Sequence, residues 1–428
     1  MTTAQQELLS VPPSAPATEP SPPRSLFRDR AFRQLFAAAA MSKLGSSVSY
    51  LAIPLVAVSA MNASPAQVGL LSTLSTLAFL VIGLPAGAWV DRMRKRSVMI
   101  TADLIRVAAL SSVPIVWGLG SLTLRQLYVV VLVSGAATVF FDVASQSHLP
   151  DLVGRDRLSE ANAHLVMADA LTQVSGRSAG GFLLSVVTAP VAVAVDAVSY
   201  LWSAMCLLGI RRTDPLPVRR ADANLVREVR AGLRFVFADP VLRPIAVAGA
   251  CTNLAIQLCQ TMLPVLVTRE LGLPDWVLGL FFAVGGVGVF LGSLSARRLA
   301  GRFGAGRVLW MMGLGVAPFG IPVALIDRGP ALWLAAAAWL VTTFKVGIDN
   351  VLKVSFRQSV TPDVMMGRMN ATMRFVLTGA LCVGSALAGL LGQAVSVRAA
   401  LWVGAVGLAV VWVPIFFSPL RTTHALPK

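Results

Sequence analysis

The chain has 428 residues, of which 56% are apolar and only 13% charged, with a formal net charge of +16. A soluble domain carries about 25% charged residues, so the composition excludes one and leaves a membrane protein. The basic excess does not point to nucleic acid, because it falls in alternate loops between apolar runs.

Residues 1–23 are rich in Pro, Ser, Thr and Ala and lack a basic start. They read as a disordered cytoplasmic tail, not as a cleaved signal peptide. A membrane-crossing helix needs about 20 mostly apolar residues. Twelve such runs follow: 36–60, 67–90, 97–120, 124–147, 159–188, 190–210, 242–268, 276–299, 307–327, 330–355, 369–393 and 398–419. The domains implied are a six-helix bundle over 24–210, a linker over 211–241, a second bundle over 242–420 and a short tail, 421–428. Both tails and the linker are placed in the cytoplasm. The fold class is therefore an all-α membrane protein, with twelve transmembrane helices in two pseudo-symmetric six-helix bundles.

Topology follows from the basic residues, which are retained on the cytoplasmic side. With both termini inside, the inner loops and tails hold 26 Lys and Arg, against four in the outer loops: Arg125, Arg269, Arg328 and Arg398. The densest inner turn is Asp91 to Arg96, where Arg92, Arg94, Lys95 and Arg96 crowd together after a run ending in Gly87. Within the linker, Leu225, Val229, Leu233 and Val236 fall on one helical face, with Arg227, Arg230 and Arg234 elsewhere. That pattern predicts a basic amphipathic helix on the cytoplasmic membrane surface, joining the two halves.

The halves repeat with a shift of 210 residues. Phe27-Arg28-Asp29 meets Phe237-Ala238-Asp239, Arg33 meets Arg243, Pro54 meets Pro264, Gly69 meets Gly279 and Arg92 meets Arg302. Two parallel repeats with a substrate path between them are the transporter arrangement.

Several stretches resemble a known family. Gly87-Ala-Trp-Val-Asp91-Arg92-Met-Arg94-Lys95-Arg96 is similar to the signature loop between the second and third helices of the major facilitator superfamily. LFRDRAFRQLF at 26–36, FFDVASQSHLPDLV at 140–153, SEANA at 159–163 and TPDVMMGRMNA at 361–371 resemble the branch holding macrolide efflux proteins and the enterobactin exporter. The resemblance implies an efflux transporter working by alternating access. It also implies a gate in which Gly87, Asp91, Arg92, Lys95 and Arg96 hold the cytoplasmic side shut, Asp91 facing the helix start near Met369 and Asn370. The chain departs from the pattern at three places. Arg94 stands where the wider superfamily has Gly, Gly176-Arg177 where relatives read Gly-Pro, and Ser46-Ser47 where many carry an acid after Gly45.

Ionisable residues inside spans are expensive, so each marks function or a needed partner. Lys345, Asp349 and Lys353 recur every four residues and share one helix face, with Asn350 beside them. They form either a charged cavity wall or a self-neutralising ladder. Asp142 is placed to pair with Lys43. Asp169 and Arg177 lie two turns apart on the fifth span, Asp103 and Arg106 form a local i,i+3 pair, and Asp196 reads as bonded to Tyr200 one turn on. Asn253, Gln257, Gln260 and Thr261 make a polar stripe suited to a cavity wall. The proton-coupling candidates are Asp169 and then Asp142. The cavity candidates are Lys43, Asn253, Gln257, Lys345, Asp349 and Asn350.

The leading functional reading is a secondary transporter, acting as a monomer, that exports a small amphipathic organic molecule against proton entry. An importer or a sodium-coupled carrier on the same fold is the first alternative, and a membrane enzyme the second. The enzyme reading lacks a nucleophile constellation: His148, His164 and His424 are scattered. No Walker loop and no cofactor or metal motif is present, and Cys206, Cys251, Cys259 and Cys382 lie in apolar runs as free thiols. A single cysteine placed at Ala223 should resist impermeant thiol reagents in intact cells. Ready labelling from outside would reverse the topology.

Overall fold

A computed structural model describes residues 26–90, 92–154, 157–210 and 225–422. These residues are helical, with no strand among them. The first half holds α1 (Arg30–Leu55), α2 (Pro65–Val90), α3 (Lys95–Gly118), α4 (Leu124–Val153), α5 (Leu158–Val186) and α6 (Ala189–Leu208). A short helix, α7 (Leu225–Ala238), precedes the second half. There, α8 (Leu242–Pro264), α9 (Asp275–Phe303), α10 (Ala305–Val316), α11 (Ile321–Ala324), α12 (Pro330–Val360), α13 (Asp363–Ala394), α14 (Val397–Val410) and α15 (Val413–Phe416) follow. Among the described residues, eleven helical stretches are long and apolar enough to cross a membrane, α10–α11 and α14–α15 each counting as one. The 29 residues of α5, which include Glu160, Asp169 and Arg177, supply the twelfth crossing. Val81, Ile115, Val129, Phe182, Leu294 and Leu390 are all exposed. Such a belt is unfavourable in water but natural against acyl chains, where each helix satisfies its own backbone.

Local chemistry explains where helices begin and break. Asp29 caps α1, its Oδ1 accepting from the Ala31 amide at 2.9 Å, so the helix starts before the apolar run does. The ninth and twelfth crossings, expected to be continuous, are interrupted. A 3₁₀ turn, Ala317–Gly320, follows α10, and Pro318 and Pro322 account for the break because neither donates a backbone hydrogen bond. The repeat also reaches backbone detail. After Pro54 and Pro264, α1 and α8 each widen into a π-helical turn, Val56–Ala60 and Val265–Glu270. The turns close with equivalent hydrogen bonds, Ala63 to Ala57 and Leu273 to Val267, both 2.9 Å.

Within the first half α1 packs on α5 and α6, α3 on α4 and α6, and α2 on α4; within the second, α9 packs on α12 and α8 on α13 and α14. The halves meet where α2 packs on α13 and α5 on α9, two contacts that the repeat interchanges. Each contact holds a glycine pair, Gly69 with Gly389 and Gly181 with Gly279. A Cβ on Gly69, Gly181 or Gly279 would overlap the backbone of its partner. Small residues let helices approach this closely, and van der Waals packing is the main attraction left to them in lipid. Both pairs lie toward the end of the molecule opposite the chain termini, called the distal end below, so the bundles are clamped together there.

Helix α7 does not lie free on a surface. Val236 packs with Leu242, Ala246, Met369 and Met373 of α8 and α13, while Arg227, Arg230 and Arg234 face outward. The rest of the 211–241 linker, residues 211–224, lies outside the described residues.

Replacing Gly279 by Val should wedge α9 from α5 and open the distal end. In a background lacking the native cysteines, Tyr50→Cys should then react faster with an impermeant maleimide applied from the distal side. An unchanged rate would show that the glycine contact does not hold the bundles shut.

Candidate functional site

A cavity of about 630 Å³ lies between the bundles and draws its walls from both. The first half contributes hydroxyls, including Ser46, Ser134, Thr138 and Tyr200, together with Phe79 and the carboxyl-bearing Asp196. From the second half come Asn253, Gln257, Gln260, Thr343 and Asn350, with Phe282 and Trp339. The wall combines these hydrogen-bonding groups and aromatic rings with an aliphatic surface from residues such as Leu71, Val131, Ile256 and Val346.

The distal side is closed by repeat-related residues. Tyr50 of α1 donates to Gln260 Oε1 of α8 at 2.6 Å, and the two are 210 residues apart. The Tyr50 ring also meets Phe282 edge-on at 6.2 Å. On the side toward the termini, Asp142 of α4 bridges the bundles. Its carboxylate lies 3.7 Å from Lys43 Nζ of α1 and 3.5 Å from the Arg374 guanidinium of α13. Arg374 also sits 4.0 Å over the ring of Phe79, a cavity residue. Asp142 is therefore held between two cations, one from each half.

Among the described residues, the other spanning charges fall into two networks and one exception. Asp349 on α12 accepts from Lys345 at 2.6 Å and Lys353 at 2.8 Å, making a buried i,i+4 ladder. The ladder does not line the cavity; the neighbouring Asn350 does. Asp103 binds Arg106 and accepts from Ser203 at 2.7 Å. Arg106 reaches Thr138 at 3.4 Å and lies 4.0 Å over Tyr200 and 4.6 Å over Phe141, so its delocalised charge is spread across ring faces. The exception is Asp196, which accepts from Ser199 Oγ at 3.1 Å. The expected bond to Tyr200 is not formed, because the Tyr200 hydroxyl turns to Ser46 of α1 at 2.7 Å.

The remaining sequence candidates are placed as follows. Asn253 lines the cavity and spends its amide on the Leu377 carbonyl at 3.0 Å, while Gln257 donates to Thr261 at 3.2 Å. Lys95 binds Asp151 at 2.6 Å and the Ser147 carbonyl at 2.8 Å, tying the start of α3 to the end of α4. Arg96 donates to the Leu207 and Leu208 carbonyls at 2.9 and 2.8 Å, satisfying the C-terminus of α6. A Cβ at Gly87 would meet nothing within 4 Å. Arg92 follows the end of α2 in an exposed turn. Asp91 and the side chains of Asp169 and Arg177 lie outside the described residues. All four cysteines are free, and Cys251, expected to pack as a small hydrophobe, is exposed.

Sequence reasoning missed Arg374 as the partner of Asp142, and missed the hydroxyl wall. Ser72, Ser75 and Thr76 on α2 line the cavity and stand in an apolar run at helical spacing, a stripe that marks a wet face.

Two six-helix bundles that enclose a cavity at their interface have the architecture of a multi-pass membrane transporter of the major facilitator superfamily. The family model described as "Transmembrane secretion effector" matches residues 21–427, and the chain belongs to that family. The enterobactin exporter EntS of Shigella dysenteriae is 25% identical over 399 residues, which is 92% of this chain and 93% of that protein. Among solved structures, a bacterial homologue of the iron transporter ferroportin, in an inward-facing state, superposes with a TM-score of 0.73 at 15% identity, covering 92% of this chain and 99% of that one. The nucleoside transporter NupG does so with a TM-score of 0.71 at 11% identity, covering 90% and 99%.

The ionic bridge between halves can be weighed by a double-mutant cycle. Asp142→Asn and Arg374→Gln should each lower the stability of the purified protein. Their combination should cost less than the sum by about 0.5–1 kcal/mol, as for partly exposed pairs. Strict additivity in thermal or denaturant unfolding would show that the two charges do not interact.

Proposed function

We propose that this protein is a secondary exporter of a small amphipathic organic compound, driven by proton entry across the inner membrane. The observation that carries the reading is the interface cavity. Its volume lies in the range of about 300–1,000 Å³ found for sites holding small ligands. Hydroxyls and amides offer hydrogen bonds, and Phe79, Phe282 and Trp339 offer flat apolar faces. A compound with aromatic and polar parts fits that lining; a bare metal ion, which needs several anionic or soft donors, does not. The curated relative exports enterobactin by its name, which supports export of a siderophore-like or drug-like molecule.

In this reading the chain acts as a monomer with both termini in the cytoplasm. The distal clamp and the Asp142 bridge are the two gates. The glycine pairs and Tyr50–Gln260 close the outer side, while rupture of the Arg374–Asp142 contact lets the bundles part on the cytoplasmic side. The basic turn, with Gly87, Asp91 and Arg92, belongs to closure of the cytoplasmic side in the opposite state. Lys95 and Arg96 keep the first bundle rigid while it rocks. Lys43, Asn253, Gln257 and Asn350 serve the substrate side, with Lys345 and Asp349 as a fixed wall behind Asn350.

The test is transport by purified protein in proteoliposomes, with enterobactin and ethidium as separate probes. An imposed pH gradient should drive at least one probe against its concentration gradient, in the direction opposite to proton flow. Movement driven by a sodium gradient instead, or in the same direction as protons, would replace the antiport reading. Movement of neither probe under any gradient would overturn the assignment of the cavity to compounds of this class.

A further inference from the structure

Asp196 stands apart from the other described acids of the spanning helices. It is 1% exposed, lies midway along α6, and is among the residues that border the cavity. Asp103, Asp142 and Asp349 each have a cation within ion-pair distance; Asp196 has none among the described residues.

The neighbouring helices show why no cation arrives. On α1 the residue facing it is Gly45, whose missing side chain makes the room: a Cβ there would overlap Asp196 Oδ1 and Ser199 Oγ. Lys43, two residues earlier, is engaged with Asp142 of α4. On α3 the charged groups are Asp103 and Arg106, bound to each other, with Arg106 held over Tyr200 and Phe141. On α6 itself the titratable neighbour is Tyr200, bonded to Ser46. Asp169 and Arg177 of α5 have side chains outside the described residues.

An ionised carboxylate in such a place is costly, since burial without a counter-charge or full hydrogen bonding is among the largest penalties a side chain can incur. The hydroxyls that face it, Ser199 of α6 and Ser49 of α1, do not offset it. A fixed structural anion would be built with a cation, as the three other acids are. We infer that Asp196 is the proton-binding carboxyl of this transporter, loaded and unloaded through the cavity. The inference rests on the proton-driven exporter reading above.

The step balances simply. With the cavity open to the distal side, a hydronium ion gives its proton to the carboxylate, forming the acid and water. With the cavity open to the termini side, the acid returns the proton to water, and no other bond changes. Asp196 borders the cavity together with Ser46 and Tyr200, so proton exchange with the cavity passes beside that hydroxyl pair. Asp142, fixed between Lys43 and Arg374, serves as a latch and not as the carrier.

Two measurements test the assignment. Infrared difference spectra of the purified protein between acidic and alkaline buffer should contain, beside the bands of the exposed carboxyls, a protonated-carboxyl C=O component at the high frequency of a carboxyl shielded from water. When parent and variant spectra are compared, Asp196→Asn should have lost that component and Asp142→Asn should have kept it. A parent spectrum without that component, or its persistence in Asp196→Asn, overturns the inference without any transport assay. In proteoliposomes, Asp196→Asn should lose pH-gradient-driven movement of whichever probe, enterobactin or ethidium, the parent carries, and retain exchange of that probe at equal pH. Full gradient-driven movement by the variant overturns the inference. If the parent moves neither probe, the exporter reading fails, and the infrared band still decides whether Asp196 binds a proton.

Discussion

A charge inside a bilayer has no water to turn to, and that constraint arranges most of the polar chemistry of this protein. Asp349 lies between two lysines one turn above and below it. Asp103 and Arg106 bind each other, Ser203 and Thr138, and Arg106 lies over two ring faces. Asp142 shares its carboxylate between Lys43 and Arg374. These three solutions differ in what they connect. The first lies on one helix, the second joins α3 to α6 and α4 within one bundle, and the third crosses between bundles. Only the third joins the two halves. Asp196 leaves the rule unsatisfied, and that makes it informative.

The contacts between halves are built oppositely at the two ends. At the distal end they are uncharged: glycine backbones in direct contact, and a tyrosine–glutamine hydrogen bond roofing the cavity. Toward the termini the cross-bundle contact is ionic and partly exposed. Close-packed glycines gain their attraction only at short range, so that contact is lost abruptly when the helices tilt. An ion pair in a wet cavity weakens gradually and is screened. The two ends of the interface are thus asymmetric in physics although the bundles are nearly symmetric in fold.

The basic turn after α2 shows one set of residues meeting two demands. Lys and Arg on that side oppose translocation of the loop. Once there, Lys95 and Arg96 supply the donors that the ends of α4 and α6 lack, because the last carbonyls of a helix have no partner within it. The rigidity of the first bundle on that side comes from charges that composition alone assigns only to topology.

The sequence by itself determined what local geometry and solvent preference dictate. Twelve apolar runs, the 26-to-4 bias of basic residues, the 210-residue repeat, the basic helix in the linker and the Lys345–Asp349–Lys353 ladder are all visible in it. Each depends on spacing along one helix or on the bilayer. The tertiary structure alone decided which helix face meets which. Tyr200 turns to Ser46 and not to Asp196, Arg374 finds Asp142 across the interface, and Gly45 makes space for a carboxylate on another helix. It also decided that Pro318 and Pro322 interrupt a crossing that hydropathy reads as continuous. Periodicity fixes which residues share a face. The rotation and depth of that face against its neighbours are set by where small residues allow backbones to approach, and those pairings join residues that lie far apart in the chain.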